Sequence, residues 1–393
     1  MPSKRKERRD RLTVLHLAQP VEGGVARVVT DLVGAQTQEG VRVVVACPEG
    51  GMLSRQAAAA GAEVEHWPAV REPGPRVPAE TRRAYQLIRR VGPHIVHAHS
   101  AKAGLAARLA LRGRVPTVYQ PHAWSFEAVE GHTARLARNW ERWAARWTDR
   151  LLCVSEAERL TGEQAGITAP WTVVHNGVDV SGSEWRGADA RASARAGLPM
   201  LDAVPADAPL VVCVGRLCPQ KGQRTLLDAW PRITAQVPGA RLVLVGDGPD
   251  RARLSEEAPD GVLFAGASDQ VNRWYAAADL AVLPSLWEGM ALTPLEAMAC
   301  GRPVVVTDVG GARECLPPGQ EEVCLVRADD PPALATAVTN LLKDPELRAY
   351  LGEAARKHVH ADFDVRQTAA SVLRLYRELL GTPSTSGSEQ ATR

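Results

Sequence analysis

Short runs of valine, isoleucine and leucine alternate along the first half of the chain with segments whose apolar residues recur every three or four positions. The short runs are typical of buried strands, and the segments between them are typical of amphipathic helices. The predicted strands are 13–19, 41–48, 62–68, 94–100, 115–122, 151–155 and 171–175. The predicted helices are 24–37, 53–60, 80–90 and 101–111. This alternation predicts the α/β class, with a parallel, doubly wound sheet covered on both faces.

Residues 182–209 interrupt the alternation and are rich in alanine, glycine, proline and aspartate, which predicts an interdomain linker. Predicted strands then follow at 210–217, 241–246, 262–265, 279–283, 303–308 and 323–327, and predicted helices at 331–342, 345–358 and 365–380. Because 393 residues exceed the ~250–300 that one core usually supports, we expect two domains. The predicted division is a basic disordered tail 1–11, a first domain 12–180, a linker 181–209, a second domain 210–360, a terminal helix 361–380 and a disordered tail 381–393.

Composition adds few constraints to this architecture. The formal net charge of +2 gives no general case for nucleic-acid binding. The seven cysteines are odd in number and scattered inside apolar runs, which indicates reduced thiols and a cytoplasmic protein. None belongs to a Cys-x-x-Cys pair, so we expect no zinc site. No run approaches the ~18 apolar residues of a transmembrane helix, and no signal-peptide pattern follows the basic start. We interpret that basic start as a solvated arm, with contact to an anionic membrane surface as the second interpretation.

The stretch 283–303 places two carboxylates around a predicted helix start. An apolar strand ends at Leu283, Glu288 follows in the next loop, and Glu296 lies in a short helix that we expect Thr293 to cap and Gly301 to end. Ligands of open α/β sheets bind beyond the carboxyl ends of the strands, and a helix start there attracts anions. Two interpretations of Glu296 stay open: a ligand contact, or a capping box with Thr293.

The loop after the first strand of the second domain carries two cations. Gly215 and Gly222 flank Arg216 and Lys221 in the segment Val-Gly-Arg-Leu-Cys-Pro-Gln-Lys-Gly. An arginine can hold phosphate oxygens with two parallel hydrogen bonds, and a lysine adds a point charge. The segment lacks the order of a P-loop. The pattern therefore favours a phosphate site of another kind over two merely solvated side chains.

The first domain offers two further groups of residues. Gly23 and Gly24 open the first helix, where they could admit a phosphate or sugar close to the main chain or simply form a tight turn. The second group consists of His97, His99, Lys102 and His122 near two strand ends. We expect these histidines to hydrogen-bond sugar hydroxyls rather than to bind a metal, because no carboxylate lies at ligand spacing.

The segment 135–150 predicts a helix with a tryptophan face and an arginine face. Leu136, Trp140, Trp143 and Trp147 share one side of the helical wheel, and Arg135, Arg138, Arg142 and Arg146 share the other. The first interpretation is that the tryptophan face packs in the core beneath a solvated arginine face. The second is a helix that lies on a membrane surface near the acceptor.

Together these motifs resemble those of the retaining GT-B glycosyltransferases of family 4, the glycosyl transferases of group 1. The resemblance covers nearly the whole chain and rests on five motifs in order. They are Glu-Gly-Gly at 22–24, His-Asn-Gly-Val-Asp at 175–179, Val-Gly-Arg-Leu at 214–217, Lys-Gly at 221–222, and Glu-x7-Glu at 288–296 followed by Ala-Met-Ala-Cys-Gly-Arg-Pro. It implies a GT-B architecture: two Rossmann-like domains facing across a cleft, with a C-terminal helix that crosses back to the first domain.

The resemblance also implies roles for individual residues of the second domain. Arg216 and Lys221, next to Gly215, would hold the donor diphosphate, Glu288 would bind donor-sugar hydroxyls, and Glu296 would bind the ribose. The backbone amides of three consecutive residues would contact sugar and phosphate; these are Met290, Ala291 and Leu292. The family often has Phe-Gly where this chain has Met290-Ala291, and that departure bears on which sugar is bound.

In the first domain, the resemblance implies that Gly23 and Gly24 admit the diphosphate and that His122 lies near the sugar. The implied reaction is metal-independent, cofactor-free transfer of a hexosyl unit from a nucleotide-diphosphate sugar, with a UDP-sugar favoured, to a hydroxyl acceptor. The basic start and the tryptophan–arginine segment would suit a lipid-linked acceptor, in cell-surface polysaccharide or glycolipid assembly at the inner face of the membrane. Alternatives are a soluble secondary-metabolite acceptor, another GT-B enzyme, and a non-catalytic protein that binds nucleotide sugars.

Overall fold

The computed structural model describes residues 11–71, 74–181 and 187–381, except for the side chains of residues 187–189. The predicted tails 1–10 and 382–393 lie outside the described residues, as do residues 72–73 and 182–186. The chain forms two compact units: one runs to His175 and resumes at Arg366, and the other is Asn176–Val365. All seven cysteines are unpaired.

The first unit is built on a seven-stranded parallel sheet of order β3-β2-β1-β4-β5-β6-β7. Its strands are β1 (Thr13–Ala18), β2 (Arg42–Cys47), β3 (Glu63–His66), β4 (Ile95–His99), β5 (Thr117–Gln120), β6 (Arg150–Cys153) and β7 (Trp171–Val173). Every residue of β1, β4 and β5 is buried, because helices cover both faces of the sheet. The predicted strands of this half are confirmed.

The helices of the first unit follow the strands in alternation. They are α1 (Gly23–Gln38), α2 (Gly51–Ala59), α3 (Val77–Val91), α4 (Ser100–Leu111), α5 (Gly131–Ala144), α6 (Glu156–Gln164) and the C-terminal α16 (Val365–Leu379). The terminal helix belongs almost entirely to this unit, as predicted. The Tyr376 hydroxyl lies 2.5 Å from His97 Nδ1 of β4, which ties α16 to the sheet.

The second unit has a six-stranded parallel sheet of order β10-β9-β8-β11-β12-β13. Its strands are β8 (Leu210–Val214), β9 (Arg241–Val245), β10 (Val262–Gly266), β11 (Leu280–Leu283), β12 (Val304–Thr307) and β13 (Leu325–Val326). The last strand is shorter than predicted, because Glu321–Cys324 forms a helical turn in front of it.

The helices of this unit again alternate with strands. They are α7 (Gly187–Ala196), α8 (Gln223–Gln236), α9 (Arg251–Glu256), α10 (Val271–Ala277), α11 (Leu292–Ala299), α12 (Ala312–Cys315), α13 (Glu321–Cys324), α14 (Pro331–Lys343) and α15 (Pro345–Asp362). The described part of the predicted linker is a packed part of this unit. Arg195 of α7 donates to the Ala277 carbonyl at 3.0 Å and pairs with the buried Asp279 at 3.2 Å.

Helix α5 agrees with only part of the first interpretation of segment 135–150: the arginine face is exposed and Trp140 is half-buried, but the most buried residues lie outside the tryptophan face. Its fully buried residues are Glu141 and Ala144, whereas Leu136 is 70% exposed and Trp143 is 42% exposed. Glu141 turns inward because Arg108, itself buried, binds its two oxygens at 2.8 and 3.1 Å. The Arg108–Glu141 ion pair thus occupies the most buried side of the helix, and the half-buried Trp140 ring lies 5.6 Å from the Arg108 guanidinium.

Within the described ranges, every helix is too short or too polar to cross a bilayer.

Candidate active site

The loop after β8 is pressed against the loop after β11. Gly222 has φ +61°, and a Cβ at that position would lie 1.9 Å from the Pro284 carbonyl oxygen. The Leu286 N–H donates to the Gln220 carbonyl at 2.8 Å. Only glycine permits both this conformation and this approach, so residue 222 is a structural requirement for bringing the two loops together.

Lys221 and Glu288 meet where these loops touch. Lys221 Nζ lies 2.5 Å from Glu288 Oε1, and the Ser285 hydroxyl donates to the same oxygen at 2.8 Å. Both charged side chains are largely buried, with exposures of 18% and 11%. A small pocket beside Glu288 is lined by Leu283, Ser285, Ala291, Pro294, Val306 and Thr307. The structure therefore brings together two of the predicted site residues, as an ion pair that spans two loops.

Arg216 has a different environment. Its side chain is exposed, and it forms no salt bridge with any residue of the described ranges. Its backbone carbonyl accepts a hydrogen bond from Gln223 Nε2 at 3.0 Å, which fixes the main chain of the loop. A cation without a counter-ion on a fixed loop is available to an anionic ligand.

Helix α11 begins two residues earlier than predicted, and Thr293 does not cap it. Ala291 is the capping residue and makes no side-chain cap hydrogen bond, and the Thr293 hydroxyl is buried without a hydrogen-bond partner among the described residues. Thr293, the partner that the capping-box interpretation of Glu296 requires, is therefore not at the capping position. The N–H groups at Leu292 and Thr293 have no acceptor within the helix and remain available for an anion.

The other end of α11 is as predicted. Gly301 has φ +71°, its N–H donates to the Met298 carbonyl at 2.8 Å, and the Arg302 N–H donates to the Ala297 carbonyl at 3.0 Å. Near the middle of the helix, Glu296 interacts with the buried Tyr275. Burial, reinforced by this carboxylate, holds the pKa of the Tyr275 phenol well above its usual range.

Met290, directly before α11, is held by a residue whose part the sequence did not reveal. The side-chain amide of Asn176 is buried and donates to the Met290 carbonyl at 2.8 Å. The His-Asn-Gly-Val-Asp motif that contains Asn176 could be identified from the sequence, but the contact of Asn176 with Met290 could not. Gln220 was missed in the same way, because it contacts a loop that is distant in sequence, and Ser285 was missed although it lies only three residues from Glu288.

In the first unit, Gly23 and Gly24 form the exposed start of α1. No heavy atom lies within 4 Å of the Cβ position that either residue would add. The helix has no side-chain cap, and the Glu22 carboxylate instead accepts the Met52 N–H at 2.9 Å. The helix start is open and uncapped, which is compatible with a ligand and equally with a plain turn.

The histidines of the first unit form a connected set that includes His16, which the sequence did not single out. His16 Nδ1 lies 2.9 Å from His99 Nε2, and His99 Nδ1 lies 3.1 Å from His122 Nε2. His16, His97 and His99 are fully buried, and His122 is half-buried. Burial lowers the pKa of His16 to about 4, and mainly burial holds those of His97 and His99 well below their usual range. His97 and His99 are therefore too buried to contact a sugar, contrary to the prediction.

Lys102 also differs from its prediction. It is buried and pairs with the buried Glu80 at 2.9 Å, so it supports the interior and is not available to a ligand.

The nitrogens of His16, His97 and His99 lie within 4.8 Å of one another, a spacing at which imidazoles can share a metal ion. The hydrogen bonds of His16 and His99 nevertheless direct their nitrogens at each other.

Comparison with known proteins identifies the family. The family model described as "Glycosyltransferase Family 4" matches residues 22–181, and that described as "Glycosyl transferases group 1" matches residues 208–344. A glycogen synthase from Mycobacterium tuberculosis is 32% identical over 72% of this chain and 68% of its own length. The chain belongs to glycosyltransferase family 4. This glycosyltransferase is also 27% identical to the Escherichia coli UDP-Gal:alpha-D-GlcNAc-diphosphoundecaprenol alpha-1,3-galactosyltransferase, over 75% of this chain and 78% of the relative.

Solved structures show that the fold of the glycosyltransferase is GT-B. Anabaena HepE, crystallised with UDP and glucose, superposes with a TM-score of 0.78 at 23% identity and covers 93% of this chain and 99% of its own. The predicted GT-B fold and the predicted family are confirmed. The roles of the individual site residues stay predictions.

Proposed function

We propose that this glycosyltransferase transfers a hexosyl unit from a UDP-sugar to a hydroxyl acceptor with retention at the anomeric carbon and without a metal ion. The observation that carries the proposal is the Lys221–Glu288 pair together with Arg216 of the same loop, which is exposed and forms no salt bridge with the described residues. Two similar proteins support the choice of UDP: HepE was crystallised with UDP and glucose, and the E. coli relative is named for UDP-Gal.

Arg216 and Lys221 would bind the donor diphosphate. A lysine ammonium has three N–H donors, so Lys221 can keep its contact with Glu288 and still bind phosphate. The free N–H groups at the start of α11 add partial positive charge in the same unit. When the bond between the anomeric carbon and the phosphate oxygen breaks, negative charge grows on the diphosphate. Fixed cations and helix N–H groups stabilise that charge where a metal ion would otherwise do so.

The sugar and the nucleoside would be held by carboxylates and backbone. Glu288 would accept hydrogen bonds from sugar hydroxyls, and Glu296 would accept them from the ribose. The amides of Met290, Ala291 and Leu292 would contact sugar and phosphate. From the first unit, Gly23 and Gly24 would admit the diphosphate, and His122 would accept from a sugar hydroxyl.

The chemical step we propose needs no protein nucleophile. The acceptor oxygen forms its bond to the anomeric carbon on the face that the diphosphate leaves. The acceptor proton passes to the departing phosphate oxygen. Positioning and charge stabilisation would supply most of the rate enhancement.

The donor site is tested by Arg216→Ala and Lys221→Ala, with Lys357→Ala as a matched control. Lys357 is another cation of the second unit, and its side chain is 71% exposed. Each site variant should lower kcat at least about tenfold, toward the 10²–10³ that one charge-stabilising donor supplies. A thermal-shift screen of nucleotide sugars identifies the donor, because binding stabilises only the folded state. Unchanged transfer and donor hydrolysis in both site variants would refute the assignment.

Two further measurements test the finer chemistry. Proton NMR of the first-formed product should show the anomeric configuration of the donor retained. Activity should survive exhaustive treatment with a chelator. An inverted product, or activity that is lost to the chelator and restored by a divalent cation, would contradict the corresponding part of the proposal.

We further propose that the acceptor is lipid-linked and that α5 contacts an anionic membrane. Leu136 and Trp143 are exposed on α5, and Arg135, Arg138, Arg142 and Arg146 are exposed beside them. Exposed aromatic and aliphatic side chains flanked by arginines suit the boundary between headgroups and acyl chains. The E. coli relative is named for a diphosphoundecaprenol acceptor, which supports a lipid-linked substrate.

Sedimentation with phosphatidylglycerol vesicles and with phosphatidylcholine vesicles tests this surface at low and high salt. Binding should require the anionic lipid, weaken with salt, and fall in the Trp143→Ala and Leu136→Ala variants. Tyr350→Ala is the matched control, since Tyr350 is a 72%-exposed large apolar side chain of the second unit. Absence of binding to anionic vesicles at low salt would favour a soluble acceptor.

A further inference from the structure

A chain of hydrogen-bonded side chains leads from the interior of the first unit to His122. Gln36 Oε1 lies 2.9 Å from His16 Nε2, His16 Nδ1 lies 2.9 Å from His99 Nε2, and His99 Nδ1 lies 3.1 Å from His122 Nε2. Three elements and a loop contribute, because Gln36 is on α1, His16 on β1, His99 on β4, and His122 follows β5. We refer to Gln36, His16, His99 and His122 as the imidazole relay.

The relay has one direction, and Gln36 sets it. An amide oxygen can only accept, so the proton of His16 is on Nε2. A neutral imidazole carries one ring proton, so His16 Nδ1 accepts from His99 Nε2–H. The same reasoning makes His99 Nδ1 the acceptor for His122 Nε2–H. Burial lowers the pKa of His16 to about 4 and that of His122 to about 3, so both rings are neutral at physiological pH.

The backbone of His122 is fixed as firmly as its ring. His122 and Ala123 have φ +57° and +95°, values that non-glycine residues rarely adopt. The buried Glu158 stabilises this conformation by accepting the Ala123 N–H at 2.6 Å and the Val154 N–H at 2.7 Å. Because the relay holds the His122 ring and Glu158 holds the adjoining backbone, the His122 side chain has little freedom to reorient.

We propose that His99 and His16 are positioning residues that hold His122 in the Nε2–H tautomer and leave its Nδ1 as a preorganised acceptor for a donor-sugar hydroxyl. The inference rests on the proposed function only in naming the sugar as the ligand. The tautomer itself follows from the relay. Preorganised acceptors accelerate a reaction because they need no reorganisation when the substrate reaches the transition state.

The tautomer is tested first in the unmodified full-length protein. Two-bond ¹H–¹⁵N NMR of the histidine-labelled glycosyltransferase, with the His122→Gln variant for assignment, should show His122 Nε2 protonated and Nδ1 bare at neutral pH. A protonated Nδ1 or an imidazolium would overturn the relay. Zinc binding with His16, His97 and His99 as ligands would also overturn it, because the metal would take the lone pairs that the relay uses.

Activity is the second readout. His99→Phe removes both relay contacts and should lower kcat roughly tenfold to a hundredfold, the scale of a misplaced contact group. His99→Gln offers one acceptor and one donor and should recover most of that loss. The matched control is His94→Phe, because His94 is exposed, precedes the same strand, and its side chain accepts the Thr13 N–H. Equal losses in the phenylalanine and glutamine variants of His99 would indicate a merely structural role and refute the proposal.

Failure of the proposed donor contact of His122 can be distinguished from failure of the relay. If His122 does not contact the donor, His122→Gln retains full activity while the NMR tautomer is still as proposed. If the relay is wrong, the NMR tautomer differs while His122→Gln still loses activity.

Discussion

The two units share a parallel sheet but prepare their candidate site residues differently. In the second unit, backbone contacts between strand-end loops do the positioning. A Cβ on Gly222 would lie 1.9 Å from the Pro284 carbonyl oxygen, and one on Gly310 would lie 2.0 Å from the backbone carbonyl oxygen of Glu288. In the first unit, buried polar side chains position the candidate site residue His122; they are the imidazole relay and the carboxylate of Glu158. The second unit thus places a largely buried ion pair by backbone contacts, and the first places His122 by fully buried polar side chains.

The difference bears on how each unit tolerates change. A backbone contact depends on one small residue at one position, so its loss acts locally. A buried polar group depends on every partner, because an unpaired donor or charge in the interior costs much more than the bond contributed. We therefore expect the first unit to be more vulnerable to loss of a partner and to acid.

The largest effect should come from the buried pair in the first unit. Glu141→Ala leaves the fully buried Arg108 without its counter-ion and should cost about 3–5 kcal/mol of unfolding free energy. The matched control is Glu163→Ala, which breaks a partly exposed pair with Arg159 and should cost about 0–1 kcal/mol. Thermal and urea unfolding measure both. Similar costs for the two variants would contradict the comparison between buried and surface charges.

Acid should destabilise the first unit through its neutral histidines. The folded-state pKa of His16 is about 4 against 6.5 for the free side chain, so the unfolded chain binds protons first as pH falls. Stability conferred by neutral His16 is complete above about pH 6.5 and declines toward pH 4, by about 3 kcal/mol in all. Unfolding of the first unit, followed across this range, should be flatter in a His16→Leu variant. A wild-type stability independent of pH in this window would count against neutral burial.

Gly222→Ala tests the loop contact of the second unit. The added Cβ would strain a residue with positive φ and would clash with the Pro284 carbonyl oxygen. We expect the change to cost about 2–3 kcal/mol of unfolding free energy and to weaken donor binding. Gly239→Ala is matched to it, because its φ of +83° is also positive but no atom lies within 4 Å of the new Cβ. That variant should cost only about 1 kcal/mol, the strain of the backbone alone. If the two variants were equally stable, the loop approach would not need glycine.

The smallest effect should come from the hydrogen bond between Asn176 and Met290. Asn176→Leu keeps the approximate shape and removes the donor without burying a charge, and should cost about 1 kcal/mol. Because Met290 directly precedes α11, we expect the KM for the donor to rise severalfold while kcat changes little. Steady-state kinetics against varied donor measures this split. A fall in kcat with an unchanged KM would mean that Asn176 does not act through the Met290 loop.

Much of the fold and part of the candidate site could be predicted from the sequence. Periodicity located the strands, and glycines marked the loops of Arg216, Lys221 and Glu288, because strand-end turns carry local signals. Local pattern failed where a buried polar contact intervened: Thr293 does not cap α11, the tryptophan face of α5 is not its buried face, and Lys102 is paired in the interior. A helical wheel cannot show that Arg108 draws Glu141 inward, since the two are 33 positions apart.

The sequence by itself determined that this protein has two parallel α/β domains and which glycines and charges lie beyond their strand ends. Hydrophobic periodicity and turn chemistry are local properties, and the backbone obeys them wherever the core allows. Only the tertiary structure decided that Lys221 pairs with Glu288, that Asn176 holds Met290, and that His16 and His99 lie behind His122. These are contacts between strands and loops far apart along the chain. Their geometry depends on how the sheet is ordered, and no local pattern records that order.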